Sequence, residues 1–138
     1  MSVSTGTLRL EWQRGLLFEG EDSRHFRLPI SGDPEIAGAK PSDLLPLSLA
    51  ACLAYDVVIV LQKKRQDMKG LTVVLESEQQ DEPPLRFLRI DLRFEVAGAV
   101  DKVAADRALE LAEKNCPVLA SLSPDVEVVT SIVVVPNS

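Results

Sequence analysis

The chain has 138 residues, of which 46% are hydrophobic and 26% charged. That balance excludes a disordered segment and, at this length, fits one domain, residues 1–138, with a genuine core. A formal net charge of -6 repels polyanions, so no nucleic-acid partner is expected. The one basic cluster, Lys63-Lys64-Arg65, falls where a helix should end, and the helix terminus favours cations there.

Met1-Ser2-Val3-Ser4-Thr5-Gly6 has no basic start followed by an apolar run, so no secretory signal and a cytoplasmic address are expected. Three short apolar segments follow: Leu8 to Trp12, Leu16 to Phe18 and Phe26 to Ile30. Interruptions at Arg14-Gly15 and Gly20-Glu21-Asp22 predict a small antiparallel meander, which Ser31-Gly32-Asp33-Pro34 closes as a loop.

Next comes a long apolar helix. Pro46 belongs in its first turn, where a missing N–H costs nothing, and Asp43 is then the expected N-cap of a helix running to about Arg65. The stretch approaches membrane-span length. Pro46, Ser48 and Asp56 interrupt it, however, and a carboxylate near the bilayer centre costs about 3 kcal/mol, so a buried helix and no membrane are expected. It is apolar nearly all round, more than a small chain can cover alone, and a dimer is inferred to supply part of the cover.

Leu71 to Glu76 reads as a strand. Leu88, Ile90, Leu92, Phe94 and Val96 alternate with Arg89, Asp91, Arg93 and Glu95, the pattern of a half-buried strand. Ala97-Gly98-Ala99 is expected to turn the chain. Asp101 is the expected N-cap of an amphipathic helix through about Lys114, with Ala104, Ala108, Leu111 and Ala112 on one face. Asn115-Cys116-Pro117 breaks it, a short helix from Val118 to Leu122 follows, and the β-branched run from Val126 to Val135 closes the chain as a strand. The order β-β-β-α-β-β-α-β is α+β.

The chemistry centres on two cysteines, Cys52 and Cys116, one per helical segment. In a reducing compartment such a pair is seldom structural and points to thiol redox chemistry; a buried free cysteine acting as a small hydrophobe is the plainer alternative. Cys116 precedes Pro117, where a new helical turn can begin, and a helix N-terminus stabilises a thiolate. Cys52 has Asp56 one turn later, which opposes ionisation and calls for a compensating cation from Arg14, Arg24 or Arg27. Asp56 itself is expected to pair with an arginine. The single histidine, His25, leaves no Cys-His or Ser-His-Asp set and reads as structural. No zinc spacing or glycine-rich phosphate loop is present, so no metal and no cofactor are expected.

At Lys40-Pro41-Ser42-Asp43-Leu44-Leu45-Pro46-Leu47-Ser48-Leu49-Ala50-Ala51-Cys52, followed by Leu53-Ala54-Tyr55-Asp56-Val57-Val58, and again at Leu111-Ala112-Glu113-Lys114-Asn115-Cys116-Pro117-Val118, the chain resembles the OsmC/Ohr family. These are the osmotically inducible and organic hydroperoxide resistance proteins. The resemblance covers almost the whole chain, and the stretch after Cys52 is similar to the OsmC-like branch. It implies an OsmC-like fold of antiparallel sheets around long central helices, an intertwined homodimer with sites at the subunit interface, and a cysteine peroxidase. By that resemblance Cys52 is the peroxidatic nucleophile, Cys116 the resolving thiol, an organic hydroperoxide the substrate and an external dithiol the reductant. The family's reductases place a glutamate where this chain has Ser42, with Asp43 the neighbouring substitute, and Arg14 is the nearest counterpart of the family's arginine. The alternatives are a noncatalytic redox sensor or apolar-ligand binding protein on the same scaffold, or thiol chemistry on another electrophile.

Overall fold

The computed structural model describes residues 2–135. In chain order the elements are β1 (Arg9–Arg14), β2 (Leu17–Glu21), β3 (Arg27–Ser31), a 3-10 turn (Pro41–Asp43), α1 (Leu44–Lys63), β4 (Asp67–Gln79), β5 (Phe87–Ala99), α2 (Lys102–Asn115), α3 (Pro117–Ser121) and β6 (Glu127–Val135). This is the α+β succession read from the sequence. The backbone divides into two compact units, with the boundary in the chain between residues 45 and 46.

In the N-terminal unit, β1, β2 and β3 form the expected antiparallel meander. Leu10, Gly20 and Leu28 align across the strands, as do Trp12, Phe18 and Ile30, so one face is apolar. A cavity of about 420 Å³ lies on it, lined by Leu8, Leu10, Leu28, Ile30 and Leu44 among others. Gly20 sits inside β2, paired with Leu10 and Leu28, instead of in the turn expected there, and a Cβ at this position would stand 3.1 Å from Ile30 Cδ1. The turn is made one residue later. Asp22 Oδ1 accepts the N–H groups of Arg24 and Phe26, both at 2.9 Å, and the Phe26 bond foremost holds that carboxyl below its ordinary range. His25 takes a left-handed φ of 68° in this turn and pairs with Glu21 at 2.9 Å, so it is an exposed turn residue.

The helical run begins earlier than expected. Pro41 opens the 3-10 turn and Lys40, with extended backbone and no side-chain capping bond, is its cap. Asp43 therefore lies inside the first turn and is not the N-cap; its charge still faces the favourable end of the helix dipole. Pro41, as well suited to a first helical position as Pro46, sets the start of the run.

At the other end α1 stops at Lys63. The N–H of Arg65 bonds to the carbonyl of Gln62 and that of Gln66 to Leu61, each at 3.0 Å, the paired reversal that ends many helices. It requires a left-handed residue, and Arg65 supplies it at φ 56° where glycine would pay no Cβ penalty. Arg65→Gly should therefore stabilise the protein by about 1 kcal/mol, a rise in Tm of about 3 °C in a thermal melt; an unchanged or lowered Tm would contradict it.

In the C-terminal unit the sheet order is β4-β5-β6. β4 pairs antiparallel with β5, but β6 runs parallel to β5, so the sheet is mixed where antiparallel pairing was expected. The α2–α3 crossover makes this possible, since a parallel neighbour needs a long connection. Ile90, Leu92, Phe94 and Val96 are fully buried on one face of β5, as their alternation predicts, and pack with Leu49, Leu53, Val57 and Leu61 of α1. Helix α2 adds Ala104, Ala105, Ala108, Leu109 and Ala112, small side chains that let its backbone approach closely. Leu111 is half-buried, and Leu109 takes the deeper place. Asp101 occupies the N-cap position without a side-chain capping bond; its N–H instead donates to Gln66 Oε1 at 2.8 Å.

Helix α1 is covered on one side. Leu47 and Tyr55 remain 56% and 67% exposed. By length and composition the run Pro41–Lys63 is apolar enough to cross a bilayer, with 33% of its most apolar window buried within the chain.

Candidate active site

Both cysteines belong to the C-terminal unit. Cys52 lies mid-way along α1 between the buried Leu49 and Leu53 and is half-buried against the core. Cys116 is held by proline chemistry: the residue before a proline is pushed out of the helical region, and Cys116 is extended at φ -77°, ψ 113°, ending α2 and capping α3 at once. Its sulfur accepts the N–H of Leu119 at 3.3 Å, and only 2% of the residue is exposed. Both thiols are free, and Cys52 stands near enough for its thiol and charge to act on Cys116. Folding thus brings the two sequence-predicted cysteines together.

The expectation of an activated Cys116 is overturned. Burial pushes its thiol above the ordinary cysteine range and neighbouring Cys52 adds to the rise, while the N–H groups of Leu119 and Val118 pull only partly the other way. Cys116 is held as a protonated thiol. The proton it binds more tightly when folded lends stability that is complete below the ordinary thiol range and lost as pH climbs through the raised value. The urea midpoint should accordingly fall further between about pH 8 and about pH 10 in the parent protein than in Cys116→Ala; parallel profiles would reject this.

Arg14 and Asp43 belong to the N-terminal unit. Arg14 is exposed at the end of β1, where the register shifts opposite Leu17, and pairs with no carboxylate among the described residues. Of the other candidate cations, Arg27 is engaged by Glu19 at 3.5 Å and Arg24 lies in the exposed turn at Asp22. Asp56 is half-buried and makes no ion pair among the described residues, so the expected arginine partner is not found there. The contact missed by sequence reading is the Leu119 N–H; the three-residue spacing from a capping position was its signal. No cluster of three or more His, Cys, Asp or Glu suited to a metal occurs among the described residues.

The α+β chain thus carries two free thiols, one on a long apolar helix and one capping a short helix. The chain belongs to the family described as OsmC-like protein, whose model matches residues 32–131. It is 37% identical over 129 residues to Protein YhfA of Escherichia coli strain K12, spanning 92% of this chain and 96% of that one. A hypothetical protein from Aquifex aeolicus VF5 shares the fold with a TM-score of 0.88 at 24% identity, covering 99% of this chain and 100% of its own. The organic hydroperoxide resistance protein OsmC from Legionella pneumophila shares it with a TM-score of 0.68 at 17% identity, covering 96% and 98%.

Proposed function

We propose that the chain is a thiol-dependent peroxidase for organic hydroperoxides, and the observation that carries this is the juxtaposition of Cys52 with a buried Cys116. The Cys52 thiolate attacks the distal oxygen of the hydroperoxide, the O–O bond breaks, and the departing alkoxide leaves as the alcohol after taking a proton. Cys52 is then a sulfenic acid. The Cys116 sulfur attacks it, water leaves, and a Cys52–Cys116 disulfide results. An external dithiol reduces that bond by exchange. Relatives in fold that are named for organic hydroperoxide resistance support the substrate class.

Arg14 is proposed as the activating cation, and Asp43 as the carboxylate that replaces a glutamate at Ser42. A homodimer in the cytoplasm completes the proposal, because the apolar face of α1 and that of β1–β3, where Leu10 and Trp12 are 61% and 65% exposed, need a cover. One equivalent of cumene hydroperoxide should remove two hydrogens from the intact mass and link Cys52 to Cys116 in the peptide map, with continued consumption once a dithiol is supplied. An unchanged mass with the hydroperoxide intact would reject the peroxidase. The apolar cavity of the N-terminal unit favours a second reading, an apolar-ligand protein, for which saturable fatty-acyl binding unchanged in Cys52→Ser is the expected result.

A further inference from the structure

We propose that Glu113 is a positioning residue: its hydrogen bond to Thr130 holds the last turn of α2 on the sheet and so keeps the Cys116 sulfur where it can join that of Cys52. This role rests on the peroxidase reading above, in which the joining of these sulfurs is the resolving step.

Helix α2 meets the core through a smooth face. Its buried residues are Ala104, Ala105, Ala108, Leu109 and Ala112, and alanines make ridges too shallow to resist sliding over a neighbour. Leu109 is the large knob among them, and it lies about 10 Å before Cys116 along the helix axis. Beyond it the last turn buries only Ala112 fully. Packing alone therefore leaves the end of α2, and Cys116 with it, weakly fixed.

Two polar ties supply what the alanines do not. At the start of the helix Lys102 Nζ donates to the carbonyl oxygen of Ile132 at 3.0 Å. Near its end the Thr130 hydroxyl donates to Glu113 Oε1. Asn115 Nδ2 closes the same turn on the carbonyl of Leu111 at 3.0 Å, so the turn moves as a piece and carries Cys116, which follows it directly.

Thr130 is the polar member of an otherwise apolar row. Val128, Ile132 and Val134 share its face of β6 and pack in the core, and a valine at position 130 would suit both strand and core. The hydroxyl finds its partner in Glu113, which is half-buried where the other acids of α2, Asp106 and Glu110, are exposed. The sheet also gives both thiols one frame. Thr130 pairs with Leu92 of β5, and Leu92 belongs to the buried cluster that includes Leu49 and Leu53, on either side of Cys52. Cys52 is thus set against the sheet by apolar packing and Cys116 by a hydrogen bond.

The consequence lies in how readily the sulfurs meet. A misplacement of about 1 Å can weaken a reaction between two held groups by about a hundredfold. The pair can be read without hydroperoxide, through exchange with oxidised glutathione. The glutathione S–S bond breaks as the Cys52–Cys116 bond forms, two electrons pass to glutathione, and the two protons of the protein thiols end on the two glutathione thiols.

Full-length parent, Thr130→Val, Glu113→Ala and Glu113→Gln are equilibrated in glutathione buffers, quenched with acid, alkylated with N-ethylmaleimide and analysed as intact masses, and the urea midpoint of each reduced protein is measured beside this. Thr130→Val, which exchanges the hydroxyl for a methyl, should need a buffer about tenfold more oxidising, equivalent to about 30 mV. Glu113→Ala should do the same, and it serves where the strand variant fails to fold, because alanine suits a helix. Glu113→Gln keeps an acceptor for the hydroxyl and should stay within about twofold of the parent. A purely structural tie would lower the urea midpoint and leave the glutathione equilibrium unmoved; that result, a loss in Glu113→Gln as large as in Glu113→Ala, or a parent that forms no internal disulfide would overturn the proposal. A parent that reaches its disulfide through glutathione and yet leaves cumene hydroperoxide intact would instead count against the peroxidase reading.

Discussion

Cys52→Ser is expected to lower the rate of hydroperoxide consumption by on the order of a thousandfold or more, because a hydroxyl cannot supply the polarisable anion that attacks a peroxide oxygen. Cys116→Ser should behave differently. The serine hydroxyl at that position accepts the Leu119 N–H as well as sulfur does and is a better cap for α3, so the fold should persist. The first turnover should proceed at the parent rate and stop at a Cys52 sulfenic acid that dimedone traps. Stopped-flow consumption of cumene hydroperoxide with a dithiol present, beside circular dichroism of both variants, separates the roles. Full activity in Cys52→Ser would remove the nucleophile assignment; a parent-like steady state in Cys116→Ser would remove the resolving role.

The asymmetry between the two thiols is the part of the site least legible in the sequence. Cys116-Pro117 announces a helix start, which is a local fact, and from it follows a helix N-terminus that favours a thiolate. Depth in the core is a tertiary fact and works in the opposite sense. It wins here because the capping helix α3 has five residues and Cys116 is 2% exposed. Periodic features were read well for the same reason that they are local: the alternation along β5 matches its buried face residue for residue from Ile90 to Val96, and the alanines of α2 turn inward. Strand β4 runs to 13 residues where six were expected, since its polar end at Ser77, Glu78 and Gln79 is held by the β5 register and not by any pattern of its own. The parallel placement of β6 was likewise invisible, because a sequence carries no sign of which way a closing strand lies.

Gly98 shows how a local signal can be real and its meaning misplaced. Ala97-Gly98-Ala99 looks like a turn, yet it is the last part of β5, and the glycine answers an irregularity in β4 between Met68 and Gly70. At φ 123°, a Cβ on Gly98 would stand 2.2 Å from the carbonyl oxygen of Asp67 and 2.8 Å from the nitrogen of Lys69. Both are backbone atoms and cannot swing aside. The same corner carries the Asp101 N–H bond to Gln66 Oε1, at the start of α2, so a shift there is felt by two helices and two strands. Gly98→Ala is expected to cost about 3 kcal/mol or more, from strained backbone together with overpacking, and to lower Tm by about 10 °C. Gly70→Ala is the control: its Cβ would meet only Ala97 Cβ, at 3.7 Å, an ordinary contact, and should change stability by less than about 1 kcal/mol. Urea denaturation of the two variants gives the comparison. Equal midpoints would mean that the corner yields easily and that the glycine at position 98 is not what fixes the β4–β5 register.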